Sequence, residues 1–203
     1  EICACLVGSE MCIETGTSIS RQREGLEVIN SQAKNLTAFL DSYHRLTHLP
    51  EPEYKTVSVP ALFTKLERLL QAEPRSERVV YCDGKADRST GKELQVYGDA
   101  NLLTLALINL IRNALQAVEG QEDGIVRVDT CAGATGHLLI IITDNGPGIP
   151  PERLSAIFTP FFSTKSGGSG IGLPISQRIM QLHGGQLSVS SIPNVRTEFR
   201  MEF

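Results

Sequence analysis

Leu138-Leu-Ile-Ile-Ile-Thr-Asp144-Asn-Gly146-Pro-Gly148-Ile-Pro150 joins an apolar run to an acidic side chain and a glycine- and proline-rich loop. The run predicts a buried strand over Leu138–Thr143, because short apolar segments bounded by turn residues are typical of strands. A plain turn would explain the glycines, but not a carboxylate where the strand ends. A carboxylate accepts hydrogen bonds, and adenine offers an amino group where guanine has an acceptor oxygen. Asp144 is therefore a candidate adenine-selecting residue, and Gly146 and Gly148 would let the backbone pass close to the base.

A long amphipathic helix precedes this strand, with Asp99 as a good N-cap and an end near Val118. Its core stripe has helical spacing and consists of Leu103, Leu107, Leu110, Ala114 and Ala117. Asn109, Asn113 and Gln116 fall at i, i+4 and i+7, so three amides share one neighbouring face. A solvated flank would account for them, but an Asn oxygen is also a suitable ligand for Mg²⁺, which usually keeps phosphates and waters in its shell. The helix alone leaves both interpretations open.

A glycine-rich stretch opens the last predicted helix, Gly172–His183. Unpaired N–H groups and the positive end of the helix dipole suit such a start to phosphate, although a flexible linker would have the same composition. Three aromatic side chains precede the stretch. They are Phe158, Phe161 and Phe162. Packed together, these rings would anchor a mobile lid, from which Lys165 could meet a terminal phosphate as a point charge.

The order of these features is more specific than any one of them. In that order they resemble the catalytic domain of two-component sensor histidine kinases, a member of the gyrase/heat-shock-90/histidine-kinase/MutL ATP-binding superfamily. The resemblance covers roughly Pro60 to Phe203. Its motifs are the N box Asn109–Gln116, the first glycine box Asp144–Gly148, the F box Ile157–Lys165 and the second glycine box Gly168–Leu173.

The resemblance implies that these residues bind ATP and Mg²⁺. Asn113 would coordinate Mg²⁺, Asn109 would lie near the phosphates, and both would be catalytic together with Lys165. Gln116 departs from the family, because many relatives have a basic phosphate contact at that position. The predicted ATP-binding residues are Asn109, Asn113, Gln116, Asp144, Gly146, Gly148, Ile149, Phe158, Lys165, Gly168, Ser169, Gly170, Ile171, Gly172 and Leu173.

The mixture of helices and strands predicts an α+β fold, because strict βαβ alternation is lacking. The expected architecture is a two-layer α/β sandwich in which helices cover one face of a mixed sheet, and the resemblance identifies it as the Bergerat-type ATP-binding fold. Near the end, Asn194-Val195-Arg196 replaces a usual glycine-rich turn, so the final hairpin is expected to be irregular.

A heptad pattern predicts a separate helix over about 18–49, which Pro50 and Pro52 end. The seam that needs a helical partner consists of Leu26, Ile29, Ala33, Leu36, Leu40 and Tyr43. We interpret residues 15–52 as the second helix of a partial dimerisation and phosphoacceptor domain, and residues 53–203 as the catalytic domain. The run Cys5–Ile13 resembles translated sequencing-adapter DNA, so residues 1–14 are left unassigned and are expected to be foreign at least in this run. The end of the heptad helix looks like that of kinases of the nitrogen-regulation type.

None of the four histidines has the sequence context of the family's phosphoacceptor. They are His44, His48, His137 and His183. Glu1-Ile2 fits the remainder of an acceptor box whose histidine would lie upstream, so the acceptor is expected to be missing from this chain. In the intact parent, two copies would pair through the heptad helix, and the phosphoryl group would pass to an aspartate of a response-regulator receiver domain.

Asn109 separates the activities of the superfamily. The gyrase, MutL and heat-shock-90 branches have a Glu at this position, where it activates water, whereas an amide cannot act as a general base. Slow hydrolysis and phosphoryl transfer to a histidine are therefore expected. Two alternatives remain open. One is a serine kinase of the anti-sigma type, against which the heptad helix speaks, and the other is a dimerisation or scaffold fragment that binds nucleotide without transferring phosphate.

Composition narrows the remaining classes of function. The net charge is −4 at pH 7 and no Lys/Arg-rich run occurs, so nucleic-acid binding is not expected. No apolar run approaches the roughly 20 residues of a membrane helix, so we expect a cytoplasmic segment without membrane contact, although an inner-membrane anchor in the parent is compatible with this. Cys3, Cys5 and Cys12 lack a His or second Cys pair that would complete a zinc spacing.

Overall fold

The computed structural model describes residues 23–82, 93–132, 137–165 and 168–203, apart from residues 35, 38–39, 41–42 and 45–46. The chain forms two units, Glu1–Thr47 and His48–Phe203. The interpretation of residues 1–14, the cysteines among them and the predicted beginning of the heptad helix lie outside the described residues. The proposed domain boundaries stay predictions.

The first unit is helical wherever it is described. Residues 23–34 form helix α1, and the described residues from 36 to 47 are helical as well. Thr37 Oγ1 donates to Ala33 O and Thr47 Oγ1 donates to Tyr43 O, both at 2.9 Å and one helical turn back. The large side chains of the predicted seam are at least half exposed, from 50% for Tyr43 to 66% for Ile29. Pairing of this face with a second copy stays a prediction.

The second unit mixes helices and strands without strict alternation, which confirms the predicted α+β class. In chain order its elements are β1 (Lys55–Ser58), α2 (Val59–Leu70), a 3₁₀ turn (Ser76–Arg78), β2 (Val79–Cys82), β3 (Gln95–Gly98), α3 (Ala100–Ala117), β4 (Val126–Ala132), β5 (Leu138–Asp144), α4 (Pro151–Leu154), α5 (Gly172–Leu182), β6 (Gln186–Ile192) and β7 (Arg196–Glu202). α4 is a helix of only four residues.

Five strands form one mixed sheet in the order β2-β4-β5-β7-β6, and β1 pairs with β3 in a separate two-stranded sheet. β2 runs parallel to β4, whereas the other neighbours in the large sheet are antiparallel. α3 packs against α2, α5 and β5, and α5 also packs against β6. Helices therefore form one layer and the sheet forms the other, as predicted.

The core lies between α3 and the large sheet. Leu103, Leu107 and Leu110 of the predicted helical stripe are fully buried, and so are Ile140 and Ile142 of β5. Burying one such side chain stabilises the folded state by roughly 1.5–3 kcal/mol. This core holds α3 in place. Separately, none of the helices in the described part of the chain is long and apolar enough to cross a membrane.

Alternation along β5 decides where its last side chain points. The buried positions are Leu138, Ile140, Ile142 and Asp144. Because successive side chains of a strand point to opposite faces, Asp144 lies on the same face as the core isoleucines. The strand therefore carries a carboxylate to the helix-covered side of the sheet, where Asp144 is only 2% exposed.

Asp99 joins the start of α3 to the segment that precedes β1. Its Oδ1 accepts from the N–H groups of Asn101 at 2.7 Å and Leu102 at 3.0 Å, so it is the predicted N-cap. Its Oδ2 accepts from the N–H of Glu53 at 2.8 Å. Burial raises the pKa of the Asp99 carboxyl, but the three N–H groups outweigh burial and hold that pKa below its usual value.

The Asp99→Ala variant should lose about 1–2 kcal/mol of unfolding free energy at pH 7, because the N–H groups lose their acceptor. Asp99→Asn should recover most of this loss, since Asn is an equally good N-cap. Because the folded-state pKa is lowered, the contribution of Asp99 is present above its usual pKa of 3.8 and is lost as the pH falls further. Urea denaturation at pH 7 and pH 3 measures both effects, and an Ala variant of unchanged stability at pH 7 would contradict them.

The final hairpin is regular, so the prediction of an irregular one is wrong. β6 and β7 pair without a break from Gln186↔Glu202 to Ile192↔Arg196. Asn194 takes the left-handed conformation that a turn glycine would supply, with φ of 58°. Asn adopts this conformation more readily than most residues, which explains why the turn closes without glycine.

Candidate nucleotide-binding site

One cavity contains most of the residues that the sequence motifs single out. Its volume is about 600 Å³, within the roughly 300–1,000 Å³ that is typical of small-molecule sites. α3, the loop after β5, α4, the F box and the start of α5 surround it. The lining residues are Asn109, Arg112, Asn113, Gln116, Ala117, Asp144, Pro147, Gly148, Ile149, Pro150, Arg153, Ile157, Phe162, Ser163, Thr164, Lys165, Gly168, Ser169, Gly170, Gly172, Leu173, Thr197 and Phe199. The structure therefore brings four separate motifs to one site.

Three predicted nucleotide-binding residues, Gly146, Phe158 and Ile171, do not line this cavity. Gly146 donates its N–H to Asp144 Oδ1 at 3.0 Å, so it orients the carboxylate without lining the cavity itself. Ile171 is 7% exposed and belongs to the core, while Phe158 is half-buried. In the F box, Ile157 and Phe162 face the cavity instead. The sequence identified the F box, but it did not show which apolar side chains of this motif face the cavity.

Asp144 is a buried acceptor at one end of the cavity. Burial raises the pKa of its carboxyl to about 6, while the N–H of Gly146 and the charge of Lys165 oppose the rise. Its Oδ1 accepts from Gly146, whereas its Oδ2 has no donor among the described residues. Thr197, 3% exposed, is paired with it across β5 and β7 and also lines the cavity. Asp144 therefore presents one unused acceptor oxygen to whatever occupies the site.

Two glycines of the motifs have a packing role that the sequence did not reveal. Gly148 has φ of 75°, and a Cβ there would lie 2.8 Å from Ile192 O in the hairpin. Gly170 has φ of 65°, and a Cβ there would lie 2.6 Å from the carbonyl carbon of Phe161. Gly170 O also accepts from Phe161 N–H at 3.0 Å. Both glycines therefore hold loops of the cavity wall against neighbouring backbone.

The amides of α3 face the first turn of α5. Asn109 Nδ2 donates to Gly172 O at 3.4 Å, which ties the N box to the second glycine box. Asn113 lies one turn further along the helix and is half-buried. Within the described ranges its carboxamide has no hydrogen-bond partner, so its oxygen is free to bind a hard cation such as Mg²⁺. The residues present therefore fit the predicted metal.

Three cationic side chains line the cavity, and sequence analysis had selected only Lys165. Arg112 is hydrogen-bonded through Nε and Nη2 to Glu73 Oε1. Arg153, on α4, forms no ion pair or hydrogen bond through its side chain with any residue that the structure describes. Arg112 lies inside the N box and Arg153 shortly after the first glycine box. Proximity to these motifs is the sequence signal that could have identified them.

A sequence profile of the family described as histidine kinase-, DNA gyrase B- and HSP90-like ATPase matches residues 98–203. This is just over half of the chain and includes all four motifs. The chain belongs to this family.

Curated relatives place the chain among sensor histidine kinases. Sensor histidine kinase ZraS of Salmonella typhimurium is 32% identical over 168 residues, which is 82% of this chain and 34% of ZraS. Sensory histidine kinase/phosphatase NtrB of Vibrio alginolyticus is 34% identical over 184 residues, which is 86% of this chain and 50% of NtrB. The similarity to NtrB is consistent with the predicted nitrogen-regulation type. The chain thus spans between a third and half of these relatives.

Solved structures agree with the fold. The nucleotide-free catalytic domain of histidine kinase ThkA has a TM-score of 0.61 and 27% identity, covering 74% of this chain and 95% of that domain. ThkA in complex with the response regulator protein TrrA has a TM-score of 0.62 at 22% identity, covering 86% of this chain and 49% of ThkA. The second likeness concerns the fold alone.

Proposed function

We propose that this chain binds Mg²⁺–ATP in the cavity and transfers the γ-phosphoryl group to a histidine imidazole. The proposal depends on one observation, that Asp144 and Asn113 line the same cavity. Asp144 Oδ2 would accept from the adenine amino group. The N-terminus of α5 and Lys165 would face the phosphates, and Asn113 would bind the metal, with Asn109 beside it.

The residues of the N box favour transfer over hydrolysis. Asn109 occupies the position from which a carboxylate would activate water, and its amide nitrogen is already engaged with Gly172 O. An amide cannot accept a proton from water near neutral pH. Phosphoryl transfer needs positioning and charge neutralisation, which amides, a lysine and a helix N-terminus can supply, while the nucleophile comes from elsewhere.

The names of the relatives support the rest of the proposal. ZraS and NtrB are named sensor histidine kinases, and ThkA has been solved with a response regulator. By analogy, the acceptor histidine would lie on a dimerisation hairpin outside this chain, and the phosphoryl group would pass to an aspartate of a receiver domain. The exposed apolar seam of α1 would pair with a second copy in the parent, and this segment would act in the cytoplasm.

Nucleotide binding is tested by the melting temperature of the chain with ATP, with Mg²⁺, and with both. A ligand at a hundred times its dissociation constant stabilises the folded state by about 2.7 kcal/mol, which shifts the melting temperature by several degrees. We expect this shift with ATP and Mg²⁺ together. The absence of any shift at millimolar ATP and Mg²⁺ would sink the proposed function.

Phosphoryl transfer is tested in trans with labelled ATP and a separate protein, the acceptor hairpin, which carries the dimerisation hairpin of a sensor histidine kinase with its acceptor histidine. We expect label on the hairpin that acid removes, because phosphohistidine is acid-labile. Label that survives acid would indicate a serine kinase of the anti-sigma type. Binding without label in either protein would indicate a nucleotide-binding scaffold fragment.

A further inference from the structure

Lys165 is held across the cavity by α3. Its Nζ donates to Gln116 Oε1 at 2.8 Å and lies 3.4 Å from the main-chain oxygen of Asn113. Lys165 ends the F box and Gln116 ends the N box, so this contact connects the predicted lid to the helix that carries the predicted metal ligand. An ammonium has three N–H groups, and two acceptors leave at least one of them for a phosphate oxygen.

The chemistry of Gln116 suits it to orient a cation without neutralising it. A carboxylate at this position would pair with Lys165 and cancel its charge, while a second ammonium would repel it. An amide oxygen accepts a hydrogen bond and carries no net charge. Gln116 therefore leaves the positive charge of Lys165 uncancelled while it fixes the ammonium against α3.

The neighbouring cation on α3 is engaged elsewhere. Arg112 is bonded to Glu73 outside the lid, and Arg75, from the turn before β2, pairs with Glu119 at 2.8 Å. Burial lowers the pKa of the Lys165 ammonium, while the charges of Asp144 and Glu119 oppose this shift and favour the charged form. Within the described residues, Lys165 is thus the cation that reaches the C-terminal half of the N box with a donor to spare.

We propose that Gln116 is a positioning residue that holds the Lys165 ammonium against α3, so that this lysine can supply positive charge to the terminal phosphates. This inference rests on the proposed function, since it assumes that ATP occupies the cavity. In the proposed function Lys165 would contact the β- and γ-phosphates, which AMP lacks. Loss of Gln116 should therefore weaken ATP but not AMP.

The test measures ATP and AMP binding to variants of the complete chain by isothermal titration calorimetry with Mg²⁺. Lys165→Gln and Gln116→Leu should each weaken ATP about tenfold or more, because a charge-assisted contact to phosphate is lost or misplaced. AMP affinity should stay within about twofold. Lys65→Gln is the matched control, because Lys65 makes a similar 2.8 Å contact to Asn101 Oδ1 on α3 outside the cavity. It should change neither affinity.

The decisive variant exchanges the two side chains, Gln116→Lys with Lys165→Gln. It places the ammonium on the helix and the amide on the lid, so ATP affinity should return to within about threefold of the unmodified chain. An exchange variant that binds ATP no better than Lys165→Gln would overturn the proposal, as would equal losses for ATP and AMP in Gln116→Leu. If the unmodified chain binds neither nucleotide, the proposed function is wrong, and this inference, which depends on it, is wrong as well.

Discussion

The Asp144→Asn variant is expected to lose at least about a hundredfold in affinity for ATP. Gly146 N–H donates to Oδ1 of residue 144, so an Asn would keep its oxygen there and turn its NH₂ group into the cavity. That NH₂ group would face the amino group of adenine, and two donors cannot bond. GTP has an acceptor oxygen at the same position and should gain relative to ATP. The preference for adenine should therefore collapse.

The same Asp144→Asn substitution that weakens ATP binding should raise the free energy of unfolding at pH 7. The folded-state pKa of Asp144 is raised from 3.8 to about 6, so the folded protein binds this proton more tightly than the unfolded chain. The contribution of Asp144 to stability is then greatest below pH 4, falls as the pH rises from about 4 to 6, and stays reduced by up to about 3 kcal/mol above that. Without nucleotide, Asp144→Asn should be more stable than the unmodified chain at pH 7 and should lack this pH dependence.

Urea denaturation at pH 4 and pH 7, together with ATP titration, measures both expectations on one variant. Glu198→Gln is the control, because Glu198 is also a buried carboxylate of the same sheet, 9% exposed, but does not line the cavity. It should leave ATP affinity unchanged. An Asp144→Asn variant that binds ATP normally would remove the reason for placing adenine at this end of the site.

The position of Asp144 at the end of a buried strand could be predicted because local rules agree with the fold. The side chains of a strand point alternately to its two faces, so residue 144 lies on the same core side as Ile140 and Ile142. The same is true of α3, where an N-cap at Asp99 and the helical spacing fix which face is buried. Asn109 and Asn113 then had to lie on the flank beside the buried stripe. Periodicity supplies this information without any knowledge of tertiary contacts.

The loops could not be predicted in the same way, since no period constrains them. Phe158 was selected as a nucleotide contact, yet Phe162 lines the cavity. Phe161, which lies between these two residues, takes a left-handed φ of 66°. The contact between Lys165 and Gln116 joins residues that are 49 positions apart in the sequence. Such contacts follow from the packing of one segment on another, and a sequence motif does not specify that packing.

The Asn113→Ala variant should lose phosphoryl transfer by about a hundredfold to a thousandfold while still binding AMP. The carboxamide of Asn113 has no partner among the described residues, and Asn113 lines the cavity one helical turn after Asn109. If it binds Mg²⁺, its loss leaves the charge of the β- and γ-phosphates poorly neutralised in the transition state. Binding of the base does not involve this charge, so AMP affinity should change little.

Transfer to the acceptor hairpin, measured as a function of Mg²⁺ concentration, separates a metal ligand from a residue that only packs. In Asn113→Ala the concentration of Mg²⁺ that gives half-maximal transfer should rise at least about tenfold, because a ligand is lost. Asn101→Ala, in the first turn of the same helix and outside the cavity, should leave it unchanged. An Asn113→Ala variant with reduced transfer but an unaltered Mg²⁺ requirement would mean that Asn113 positions the phosphates through the helix. The metal would then have to be held by the nucleotide and by other side chains of this cavity. Asn109 is the first candidate, because it has the same carboxamide group and also lines the cavity.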